Sequence, residues 1–107
     1  MQAALEALAQ PRRRAILRLV RDDELPAGEI ASQFEVTRPA ISQHLRVLRD
    51  AGLVSERRDG TRRLYRARPE AIAELRSFLD EFWNAGLEQL KAEAELEERR
   101  SPGGRDR

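Results

Sequence analysis

Cysteine is absent from the 107 residues, and histidine occurs once, at His44. Without thiols there is no disulfide, no thiolate metal site and no cysteine nucleophile. One imidazole is too few for the usual zinc or iron centre, so no metal and no cofactor is expected. Aromatic residues are scarce, at 5%. Long apolar runs are missing as well, the longest being three residues, as in Ala15-Ile16-Leu17. A membrane-spanning helix needs roughly 20 apolar residues and a signal peptide an apolar stretch of about 7 or more. Neither is present, and a reduced, cytoplasmic protein is the expectation. What the chain does have is charge, at 36%, with 40% hydrophobic residues. That suits one soluble domain with a heavily solvated surface. Residues 1–100 are read as that domain, and 101–107, opening on Ser101-Pro102-Gly103-Gly104, as a disordered tail.

The net charge of +1 conceals an uneven distribution. Residues 55–68 carry six arginines against Glu56 and Asp59, a net of +4. Residues 1–54 sum to +1, residues 69–100 to −5 and residues 101–107 to +1. Positive charge gathered in one short segment marks a candidate polyanion contact, or else a solvated surface hairpin.

Periodicity and punctuation divide the chain into five helices and one hairpin. Gln2 to Ala9 is a short amphipathic helix carrying Leu5 and Leu8. Pro11 suits the first position of a second helix, whose buried side is Ile16, Leu17, Leu19 and Val20. Asp22-Asp23 and Pro26 mark its exit, and Ala27 to Phe34 forms a third helix. Thr37 is a good N-cap for a fourth, with Pro39 in its first turn and Gly52 closing it after Ala51. Leu53–Arg58 and Thr61–Ala67 flank Asp59-Gly60, a favoured two-residue hairpin loop. A long helix follows from Pro69.

Two short helices joined by a tight turn, then a hairpin, are the local pattern of a winged helix-turn-helix. The chain resembles the ArsR/SmtB winged-helix transcriptional repressors of bacteria and archaea. The resemblance rests on Pro11 to Leu17 (PRRRAIL), Gly28 to Ala31 (GEIA), Thr37 to Val54 (TRPAISQHLRVLRDAGLV) and the hairpin ending in Tyr65. It covers roughly residues 2–90 and implies a mostly α, winged helix-turn-helix fold of five helices with a two-stranded wing. It also implies a homodimer paired through its first and last helices, bound to double-stranded DNA at an inverted repeat.

The residues themselves say which face would read DNA. At about 100° per residue, Ile41, Leu45 and Leu48 cluster on one side of the fourth helix and define its core direction. Pro39, Gln43 and Arg46 fall on the opposite side, flanked by Ala40 and Ser42. Gln43 can pair with adenine, Ser42 with a base or phosphate, and Ala40 allows close approach or a thymine-methyl contact. Arg38 and Arg46 suit phosphate or guanine. His44 lies on the border of the apolar stripe, as either a half-buried packing residue or a base contact. Ser42 and His44 diverge around the helix and cannot act as a nucleophile and base.

With Asp59-Gly60 as the loop, Arg57 faces Arg62, Glu56 faces Arg63 and Val54 faces Tyr65. The Arg57–Arg62 like-charge pair destabilises a hairpin unless a phosphate relieves it, which points Arg57 and Arg62 at the DNA backbone. The Glu56–Arg63 pair shares the inward-packing face with Val54 and Tyr65, and Arg63 is counted among the DNA contacts as part of the basic wing. In the last helix, Phe78, Leu79, Phe82, Trp83, Leu87 and Leu90 span two adjacent apolar stripes, enough for a core face and a partner face. Leu5 and Leu8 would complete that interface. Members of the family that sense metals use cysteines or His/carboxylate sets, and this sequence has neither set. The signal is an unidentified small molecule or protein, or there is none. The competing reading is a winged-helix module that binds another protein, whose surface would favour aromatic anchors. An enzyme finds no nucleophile–base pair, phosphate loop or metal set to work with.

Overall fold

The computed structural model describes residues 1–100, so the tail read at 101–107 lies outside the described residues. The chain runs α1 (Gln2–Ala7), α2 (Pro11–Leu19), β1 (Leu25–Pro26), α3 (Ala27–Ala31), α4 (Arg38–Asp50), β2 (Val54–Asp59), β3 (Arg62–Ala67) and α5 (Pro69–Arg100). It divides into two compact units, Met1–Leu75 and the segment from Arg76 onward.

Capping explains most of the boundaries. Thr37 accepts a hydrogen bond through Oγ1 from the Ala40 amide at 3.3 Å, and a proline sits in the first turn of α4. Such a cap contributes about 1 kcal/mol. At the other end Gly52, at φ +79°, donates to the Arg49 carbonyl while Leu53 donates to that of Leu48, both at 2.9 Å. This paired closure with buried Leu48 and Leu53 beside it turns the chain sharply from helix into sheet.

Two helices are shorter than their sequence pattern predicts. α1 ends at Ala7 instead of Ala9, because α2 supplies the caps: Arg13 Nε donates to the Ala7 carbonyl at 2.6 Å and Arg14 Nη1 to that of Leu8 at 2.7 Å. Cations at a helix C-terminus satisfy its free carbonyls and its dipole. α3 ends at Ala31 rather than Phe34. There Ser32 Oγ donates to the Glu29 carbonyl at 2.7 Å, and the next amides make tighter three-residue bonds.

The sheet also differs from the expected two-stranded wing. It has three antiparallel strands in the order β1-β3-β2. β1 is two residues long, too short for any alternation to show, and its proline is tolerated because the strand lies at the sheet edge. The hairpin register differs too. Asp59 pairs with Arg62, so Gly60-Thr61 forms the loop, and Glu56 faces Tyr65 while Arg57 faces Leu64. Gly60 alone in the turn has positive φ, at +67°. A two-residue loop with glycine first meets that requirement, whereas placing Asp59 in the loop would force a non-glycine residue to positive φ.

The core of the first unit gathers Ile16 of α2 and Val20 at its C-terminal end, Ile30 of α3, Ile41, Leu45 and Leu48 of α4, and Leu53, Val54 and Tyr65 around the sheet. The core stripe predicted for α4 is therefore the buried one. In the second unit the helix carries an exposed apolar band: Phe78, Leu79, Phe82 (69% exposed), Trp83 (65%), Leu87 and Leu90. No described helix is long and apolar enough to cross a membrane.

Candidate nucleic-acid interface

With one side of α4 committed to the core, the opposite side faces outward. Arg38, Pro39, Ser42, Gln43 and Arg46 are exposed, and Ala40 is half-buried at their margin. These residues divide between two surfaces. Arg38, Ser42, Arg46 and Arg49 line a cleft of about 760 Å³, together with Thr61, Arg62 and Arg63 of the wing. Pro39 and Gln43 lie outside it. The two elements picked out separately in the sequence are thus brought to one concavity. Gly28 belongs to its wall, and the Arg38 guanidinium lies against it: a Cβ at that glycine would stand 3.7 Å from Arg38 Nη1.

The carboxylates decide which arginines are free. Arg57 donates to Glu24 twice, from Nη2 at 2.6 Å and from Nε at 3.0 Å. The sequence expectation of an Arg57–Arg62 pair inviting a phosphate is corrected here, since the register separates the two and Glu24 neutralises Arg57. The like charges that do face each other are Arg58 and Arg63. Arg62 approaches Asp59 only to 3.8 Å, and Arg63 approaches Glu56 to 3.6 Å. Arg38, Arg46 and Arg58 make no ion pair among the described residues.

Glu56 is the acidic centre of the cleft. Its carboxylate accepts from Tyr65 Oη at 2.8 Å and from Arg49 Nη1 at 3.3 Å. The Tyr65 hydrogen bond, then the charges of Arg49 and Arg63, hold it below the usual carboxylate range against the opposing effect of burial. Burial, and then the bond to Glu56, push the Tyr65 phenol up. Arg49 and Glu56 were not among the residues singled out from sequence. Arg49 was detectable, because it continues the Ser42–Arg46 stripe at helical spacing. Glu56 was placed opposite Arg63 from sequence, but its bonds to Tyr65 and Arg49 were not detectable, because they depend on the register and the fold.

His44 is half-buried, and its Nδ1 is enclosed without a hydrogen-bond partner among the described residues. Burial, then the nearby charges of Arg13 and Arg12, lower its pKa, so it is neutral near pH 7. Leu8 is half-buried against the core, while Leu5 is 38% exposed. No group of three or more metal-ligating side chains stands together among the described residues.

The sequence and the fold of the chain match known proteins. The family described as bacterial regulatory protein, arsR family, matches over residues 10–56. A helix-turn-helix transcriptional regulator of Mycobacterium tuberculosis is 48% identical over 84 residues, 78% of either chain. The chain belongs to the ArsR family. Another relative, the transcriptional repressor SdpR of Bacillus subtilis, is 31% identical over 90 residues, which is 84% of this chain and 100% of SdpR. Among solved structures, a homodimeric winged helix-turn-helix DNA-binding domain of Mycobacterium bovis aligns with a TM-score of 0.65 at 32% identity. It covers 78% of this chain and 77% of that one. This ArsR-family protein is accordingly a DNA-binding transcriptional regulator with a winged helix-turn-helix fold.

Proposed function

We propose that this ArsR-family regulator is a cytoplasmic repressor, without catalytic activity, that binds an inverted repeat as a twofold homodimer. The observation that carries the reading is the convergence of Arg38 and Arg46 of α4 with Arg62 and Arg63 of the wing on one cleft. Gln43 and Pro39, with Ala40 beside them, face the base edges. Ser42 reads a base or a phosphate, and the cleft arginines take the backbone. Arg57 is left out of that set because Glu24 occupies it. His44 acts by packing, with its enclosed nitrogen turned from solvent. Dimerisation uses Leu5 of α1, Leu8 just past its end, and the band from Phe78 to Leu90 on α5, which is more apolar surface than a soluble monomer needs to expose. Neither α4's outer face nor the wing carries an exposed aromatic anchor, which disfavours the alternative of a protein-docking module. The signal, where there is one, is a small molecule or a partner protein and not a metal.

Titration of the protein against DNA upstream of its own gene, with random DNA as competitor, tests this reading. Tight, competitor-resistant binding and lower transcription from that promoter are expected. Binding no tighter than to random DNA would refute it, and raised transcription would refute repression. Zinc, nickel, cadmium or arsenite at near-stoichiometric levels should leave the affinity unchanged, and a chelator-reversible tenfold change would refute the metal-free reading.

A further inference from the structure

Glu56 is an unusual residue to find inside a surface that must receive phosphates. Its side chain is 21% exposed and faces the cleft shared by α4 and the wing. It is anchored by Tyr65 at 2.8 Å, directly across the strand pair, so its carboxylate does not swing away. Arg63, with its side chain 55% exposed, lies 3.6 Å from Glu56 Oε2. Arg49 is bound to the other oxygen, but it also pairs with Asp50 at 3.2 Å and keeps a carboxylate partner without Glu56. Arg63 makes no other ion pair among the described residues, and it faces Arg58 across the strands.

We propose that Glu56 limits DNA affinity as a built-in counter-ion for Arg63, so that a backbone phosphate entering the cleft must displace a carboxylate already there. This rests on the reading of the cleft as the phosphate-binding surface. Phosphate binding to a free guanidinium releases a counter-ion condensed on DNA. Where the guanidinium is already neutralised by Glu56, the displaced carboxylate takes up a cation in exchange, and the net release shrinks. Arg63 thus contributes less than one unit to the salt dependence of binding. Because phosphate contacts carry no base identity, the effect is the same on cognate and random DNA.

The test compares the full chain with its Glu56→Gln, Glu56→Gln/Arg63→Gln and Tyr65→Phe variants, on cognate and random duplexes across a salt series. Glu56→Gln should bind both DNAs about two- to five-fold more tightly per protomer, the scale of a partly exposed ion pair. Its log–log salt slope should steepen by roughly one unit per protomer. The double variant should lose that gain, and Tyr65→Phe, which keeps the charge but frees the carboxylate from its anchor, should gain less than Glu56→Gln. Should Glu56→Gln fold poorly, Arg63→Gln in the native background decides: it should change the slope by well under one unit. Weaker binding of folded Glu56→Gln to both duplexes, or a gain that survives in the double variant, would overturn the proposal. So would a full unit lost in Arg63→Gln. An unaltered protein that binds no DNA would instead refute the interface itself.

Discussion

Arg57, in the middle of the basic hairpin, is held by Glu24 in a two-point pair of 2.6 and 3.0 Å. The contact reaches from β2 to the residue preceding β1, on either side of the central strand β3. A guanidinium with a bidentate partner is among the better-held ion pairs. It fastens the sheet edges together and neutralises Arg57.

The wing arginines should therefore differ in salt dependence. Arg62→Ala removes a weakly engaged cation and should lower the salt slope by about one unit per contact, or about two per dimer. Arg57→Ala should leave the slope unchanged while lowering thermal stability. Equal loss of slope in both variants would show that Glu24 releases Arg57 to the phosphate backbone.

Gln43 stands outside the arginine cleft and is exposed. Gln43→Ala should cost about 1–3 kcal/mol on the cognate site and little on random DNA. Competition binding measures the ratio of the two affinities. Parallel weakening on both duplexes would transfer Gln43 to the backbone-contacting set.

Acid should destabilise the folded chain through Glu56 and His44, and through Glu24, whose carboxyl the Arg57 hydrogen bond holds below its ordinary range. Glu56 is held below its ordinary carboxylate range by Tyr65, so between its folded and unfolded pKa values the unfolded chain binds more protons. Its stabilisation is complete above the unfolded value and is lost as pH falls through the folded one. His44 is also shifted down, chiefly by burial. The unfolded chain takes up that proton first, and stability begins to fall once pH drops below the ordinary histidine range. Urea melts from pH 8 to pH 3 should show both limbs, with His44→Leu removing the upper and Glu56→Gln flattening the lower. His44→Leu also eliminates an enclosed, unpartnered nitrogen, so at pH 7 it should be no less stable than the parent. A marked loss there would reveal an unseen partner for Nδ1.

The exposed band on α5 gives a clean test of assembly. Phe82 is 69% exposed, so Phe82→Asp places its charge on the surface rather than in the core. Sedimentation should find a dimer for the unaltered protein at micromolar concentration and a folded monomer for the variant. A monomeric parent would contradict the twofold arrangement.

Features set by neighbours a few residues apart were legible in the sequence. Pro11 at the start of α2, the Thr37 cap with Pro39 behind it, the Gly52 closure and the Ile41–Leu45–Leu48 stripe all rest on contacts within about two helical turns. The sequence determined by itself, in this way, the order of the five helices, the hairpin and the side of α4 left exposed. The tertiary structure alone decided the rest. The hairpin register turned on which residue adopts positive φ, and Gly60 at the first loop position outweighed the expectation for Asp-Gly. β1 exists only because β3 offers it an edge. The partners of the arginines were the least legible, since Glu24 lies 33 residues from Arg57 in the chain. Ion pairing depends on distance in space, which local patterns do not encode, so only the fold determined which of these cations Glu24 and Glu56 already hold.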